Sequence, residues 1–115
     1  DGNCLFRSLS IFTELYDHKM IRSIICNYIH NNNILRETFH DEELTYYEWL
    51  INMKKNGTWG DERIIHAYSI IYPNHKIIIY NTDTNIVLPA YNETALINCY
   101  LIFRNGNHYD IAINS

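Results

Sequence analysis

The hydrophobic pattern of this 115-residue chain changes period at Pro73. Before Pro73, apolar residues recur every three to four positions, which gathers them on one face of a helix. After it they run on continuously or alternate, as strands do. Both kinds of element must share one core in a chain of this length. We therefore expect a single α+β domain, a sandwich-like arrangement of N-terminal helices on a small, mostly antiparallel C-terminal sheet.

Four helical segments precede the change. The first carries Leu5, Leu9, Phe12 and Leu15 at helical spacing. The second carries Ile21, Ile24, Ile25, Tyr28 and Ile29, with Asp17 placed as its N-cap. A third opens at Asp41 with an acidic first turn and closes with Lys54, Lys55 and Gly57, so both ends complement the helix dipole. The fourth is capped by Asp61 and stopped by Pro73. Then comes "HKIIIYN", a continuous apolar run of the kind expected in a strand covered on both faces. "TDTN" is a turn, and "IVLPAY" an edge segment weakened by Pro89. "ALINCYLIFRN" is a longer strand, and "NGN" turns it into a returning strand, "HYDIAIN".

Composition removes several function classes. The net charge is −4 and the basic residues are scattered, so no face is predicted to bind nucleic acid. No apolar run is long enough for a bilayer and no signal peptide opens the chain, so no membrane association is expected. The three cysteines, Cys4, Cys26 and Cys99, include no CxxC pair. That argues against a disulfide framework or zinc site and for a reducing, cytoplasmic setting. His18, His30, His40, His66 and His75 share no metal-ligand spacing. We expect no cofactor and a monomeric domain. Because Asp1 leads straight into a turn, we expect the domain to be cut from a longer protein.

Two local patterns carry chemistry. Cys4 follows Asp1, Gly2 and Asn3 at the start of the first helix, where the positive end of the helix dipole favours the ionised thiol. Gly2 lets the turn bend, and the exposed N–H groups there could hold an oxyanion. In "HYDIAIN", His108, Asp110, Ala112 and Asn114 share one strand face, while Tyr109, Ile111 and Ile113 share the apolar one. His108 and Asp110 are then about 7 Å apart at Cα. The carboxylate is expected to accept from Nδ1–H of His108 and leave Nε2 as the base. A solvated outer strand face is the ordinary reading of such a pattern. In "NGTWGDE", Trp59 and Gly60 read first as a helix connection with the indole plugging the core, and second as a wall of a substrate channel. Tyr46, Tyr47 and Tyr68 read as core or half-buried before any partner-facing role, and Cys26 and Cys99 as core.

"DGNCLFR", "GTWGDERIIHAYS" and "NHYDI" together resemble, in order, the motifs of the ovarian-tumour (OTU) cysteine proteases, over nearly the whole chain. The resemblance implies the papain-like OTU fold and hydrolysis after the C-terminal glycine of ubiquitin. It implies Cys4 as nucleophile, His108 as general base and Asp110 as the residue that orients it. Asp1, with Gly2 and Asn3, would form the oxyanion loop. Tyr109 would line the glycine channel, although strand phasing sends it to the apolar face, and Trp59 with Gly60 resembles the family's Trp-Gly element, packing beside the catalytic loop first and lining the channel second. The implied partner is ubiquitin or its chains. Another ubiquitin-like modifier, or a ubiquitin-binding module without turnover, are the alternatives. A papain-like peptidase for ordinary peptides fits less well, because the opening motif lacks that family's sequence around the nucleophile.

Overall fold

The computed structural model describes residues 2–15, 17–39 and 43–112. Helices α1 (Cys4–Phe12), α2 (His18–Asn32), α3 (Glu43–Met53) and α4 (Glu62–Ile71) precede strands β1 (His75–Asn81), β2 (Ile86–Tyr91), β3 (Ile97–Arg104) and β4 (His108–Ile111). The predicted caps are in place. The Asp17 side chain accepts from the Lys19 N–H, and Asp61 accepts from the N–H groups of Arg63 and Ile64. α1 ends at Phe12, short of the predicted Leu15. There the Thr13 hydroxyl donates to the carbonyls of Leu9 and Ser10, and Glu14 takes a positive φ of 60°. The predicted cap Asp41 lies outside the described residues, as do Ile113 and Asn114.

The sheet order is β2-β1-β3-β4. β1 pairs antiparallel with β2, and β3 with β4, so the expected antiparallel character holds at both flanks. The central pair, β1 and β3, is parallel. β2 lies at an edge, where Pro89 withholds no N–H from a second neighbour. Its register with β1 shifts between Ile77 and Ile79.

Helices and sheet bury one shared core. Leu5, Phe6 and Leu9 of α1, Ile21, Ile25 and Ile29 of α2, and Ile64, Ile65 and Tyr68 of α4 meet Ile77, Ile79, Cys99 and Leu101 of the sheet. Cys26 and Cys99 are buried as read from the sequence, as are Tyr46 and Tyr68, whereas Tyr47 is exposed. The expectation that β1 is covered on both faces is corrected. Ile77 and Ile79 are buried, but Ile78 is half-buried and Tyr80 is 37% exposed. A continuous apolar run does not say how many layers cover it. On the open face a row runs from Val87 through Tyr80 and Ile102 to Asp110.

One polar pair inside this arrangement makes stability sensitive to acid. The Tyr68 hydroxyl lies 2.7 Å from Nδ1 of His75. Burial lowers the His75 pKa from 6.5, and burial pushes Tyr68 upward, so the neutral pair is the stable one. Below 6.5 the unfolded chain binds the proton that folded His75 refuses, so stability is complete above that value and declines as pH falls through it. His18, also lowered mainly by burial, adds in the same direction. Thermal unfolding should therefore be flat above pH 6.5 and fall below it. His75→Gln, whose amide oxygen still accepts from Tyr68, should flatten that fall. Identical pH profiles for the two proteins would refute the assignment.

Candidate active site

Cys4 is the first residue of α1, and the turn before it is clamped from inside the molecule. Asn3 sits at the N-cap position but does not cap with its side chain. Its Oδ1 instead accepts from Arg22 Nη2 at 2.8 Å and from the Gly57 N–H at 2.9 Å. The same guanidinium donates to the carbonyls of Met53 and Thr58 at 2.8 Å and of Gly2 at 3.3 Å, and lies 3.9 Å above the Phe6 ring. The chain at Gly57 presses on this turn so closely that a Cβ at Gly2 would stand 1.6 Å from the Gly57 carbonyl oxygen. Of the expected oxyanion-loop residues, Gly2 and Asn3 are buried immediately before the helix, whose first amides have no intrahelical acceptor. Asp1 lies outside the described residues.

The Cys4 sulfur is only 7% exposed as part of its residue and rests on the start of β4. Sγ accepts from the Tyr109 N–H at 3.4 Å and lies 3.9 Å from the Asn107 carbonyl oxygen. The thiol thus touches the main chain on both sides of His108, bringing together residues more than a hundred positions apart. His108 and Asp110 share the outer strand face, as their spacing predicts, with His108 Nε2 3.1 Å from Asp110 Oδ2. The nitrogen is the reverse of the expected one. Nε2 is the end of the ring farther from the main chain, and it is the end that meets Asp110. Nδ1, nearer the backbone that the sulfur touches, is the one left free of Asp110.

Tyr109 lies on the inner face, as strand phasing predicts. It points inward, 7% exposed, with its ring 4.9 Å from that of Phe103. The inner side of the sheet at this point is also the wall of a cavity of about 400 Å³. Trp59, Gly60, Ile79, Phe103, Asn107 and Tyr109 line it, together with Asp61 and Glu62. Burial pushes the Tyr109 hydroxyl up to about 12, so it stays protonated. The reading of Trp59 as a core plug is corrected, since it is 40% exposed on this cavity. Trp49 is the tryptophan packed on the core, with its indole N–H donating to Asp61 Oδ2 at 3.0 Å. Gly60 lets this wall close on α1, because a Cβ there would stand 2.8 Å from Leu5 Cδ2.

Three residues escaped the sequence reasoning. Arg104 donates to the same Asp110 Oδ2 at 2.9 Å. Asp83 accepts the N–H groups of Asn105 and Gly106, each at 3.1 Å, and so ties down the hairpin that leads into His108. Arg22 is the third, and it alone carried a signal: it lies on the same helix face as Ile25, Cys26 and Ile29, where a cation has to be buried. Among the described residues no group of three His, Cys, Asp or Glu side chains is gathered as a metal site.

A buried cysteine at a helix N-terminus, facing a strand that carries a histidine–carboxylate pair beside a cavity, is the layout of a thiol protease. The family model for OTU-like cysteine proteases matches residues 1–109, and the chain belongs to that family. It is 25% identical over 112 residues to OVARIAN TUMOR DOMAIN-containing deubiquitinating enzyme 7 of Arabidopsis thaliana, a match covering 96% of this chain and 30% of the relative. The chain therefore spans less than a third of that relative's length. Its fold is similar to the solved OTU domain of OTUD1, with a TM-score of 0.78 at 19% identity, covering 99% of this chain and 81% of the other. It is also similar to an OTU domain solved in complex with ubiquitin, with a TM-score of 0.74 at 22% identity, covering 96% and 63%. These likenesses establish the OTU fold.

The contact between Gly2 and Gly57 yields a direct test. Gly2→Ala should displace the Cys4 turn by roughly an ångström and lower turnover about 10²-fold. Far-ultraviolet circular dichroism should stay near that of the parent. Full activity in this variant would show that the close approach does not position Cys4.

Proposed function

We propose that this domain is a thiol-dependent deubiquitinase that hydrolyses the peptide or isopeptide bond after the C-terminal glycine of ubiquitin. The observation that carries the reading is the seating of Cys4 Sγ on the backbone either side of His108, whose ring is paired with Asp110. Family membership supports it, as do a relative named as a deubiquitinating enzyme and a similar fold solved with ubiquitin. The free thiols of Cys4, Cys26 and Cys99 suit a reducing compartment.

The chemistry runs as acyl transfer. His108 takes the Cys4 proton, and the sulfur attacks the glycyl carbonyl to form a C–S bond. Amides of the Gly2–Cys4 turn and the first turn of α1 hold the oxyanion. His108 returns its proton to the leaving lysine amine as the C–N bond breaks, which leaves a thioester on Cys4. Water, deprotonated by His108, then attacks the thioester, frees the glycine carboxylate and regenerates the thiol. Asp110 holds the ring through Nε2 and stabilises the imidazolium. The wall formed by Trp59, Gly60, Asn107 and Tyr109 suits a substrate end without side chains, since glycines can lie close to both backbone and rings.

Ubiquitin bearing a C-terminal thiol-reactive warhead should form one adduct, seen by intact mass, that disappears in Cys4→Ala. His108→Ala should slow labelling by about 10²-fold or more, and Asp110→Ala by less. A folded parent protein that forms no adduct with ubiquitin would defeat the proposal. Adducts only with another ubiquitin-like modifier would keep the chemistry and change the substrate.

A further inference from the structure

A second cavity, of about 300 Å³, opens where α2 meets the connection from α3 to α4. Every charged residue that lines it is a cation: Lys19, Arg22 and Lys54. Asn27 and Asn56 add neutral hydrogen-bonding groups, and the Cys26 thiol, pushed up to about 11 by burial, adds no negative charge. Lys19 and Lys54 are exposed, but Arg22 is 3% exposed.

The state of Arg22 gives the cavity its meaning. All four of its oxygen partners are neutral, the carbonyls of Met53, Gly2 and Thr58 and the amide of Asn3. No carboxylate pairs with it among the described residues, and its buried Nε–H has no acceptor there. A buried cation without a counter-ion and with an unpaired donor is costly, and the same cavity places two further cations beside it. An anion with several acceptor oxygens seated in the cavity would offset this excess of positive charge and accept directly from the two exposed lysines.

We propose that this cavity is a binding site for a small tetrahedral oxyanion, free phosphate or a phosphate monoester, held by Lys19 and Lys54 in the field of the buried Arg22 charge. The site is distinct from the cavity beside Cys4, and one guanidinium separates it from the nucleophile turn. Arg22 Nη2 holds Gly2 and Asn3, so a negative charge placed beside this guanidinium bears on the geometry of that turn.

The test is binding and does not depend on catalysis by Cys4. Amide resonances of the whole domain are followed while inorganic phosphate, and separately glycerol 3-phosphate, is added at constant ionic strength maintained with sodium chloride. Saturable shifts centred on residues 19–27 and 53–58 are expected with at least one of the two. Lys19→Ser combined with Lys54→Ser should weaken them about tenfold or more without disturbing the fold, because both lysines are at the surface. The proposal fails if neither phosphate form gives saturable shifts. It fails equally if chloride alone reproduces them, or if the double variant binds as tightly as the parent.

Discussion

The Arg22 guanidinium donates to Met53, Thr58, Gly2 and Asn3 while stacked on Phe6, and so ties α2 to two stretches of chain far apart in sequence, residues 2–6 and 53–58. Each oxygen it serves is drawn out of water, and one left without its donor costs about 1–3 kcal/mol. The charge itself is tolerated because several dipoles converge on it. The Cys4 turn is therefore built from below, by a helix that takes no other part in the candidate site. Gly2 has no side chain because the chain at Gly57 must come within contact distance of it, and Asn3 gives up its capping role to serve the same clamp.

The other half of the site is held differently. The hairpin that presents His108 is tied to the Asp83 carboxylate through two backbone amides, and its inward residue, Tyr109, is packed between Phe103 and the cavity beside Cys4. The outward residues are looser. His108 and Arg104 share a single oxygen of Asp110, and all three side chains are substantially exposed. Exposed pairs of this kind contribute about 0–1 kcal/mol. A stiff Cys4 turn thus meets a histidine whose backbone is fixed and whose ring is only lightly restrained. That division suits the proton-transfer role proposed for His108.

Much of this was legible locally. The Asp17 and Asp61 caps, the order of helices and strands, the "NGN" hairpin and the shared face of His108 and Asp110 all follow from interactions spanning a few residues. Trp59 could not be placed that way, because an aromatic between two glycines can as well face a cavity as fill a core. Nor could the Asp110-facing nitrogen of His108, which depends on how far the ring must reach once the strand is built. Asp83 gave no sign either, since the hairpin it restrains lies more than twenty residues away.

By itself the sequence determined the element types, their boundaries to within a few residues, and the shared strand face of His108 and Asp110. Periodicity, capping and strand alternation are short-range, so they survive without a partner segment. The tertiary structure alone decided which strands pair in parallel, which face of β1 stays open, and that Cys4 rests on the backbone around His108. It also decided that one buried arginine supports the whole turn. Those outcomes arise from packing and from the need to satisfy buried polar groups across long separations, which no local pattern records.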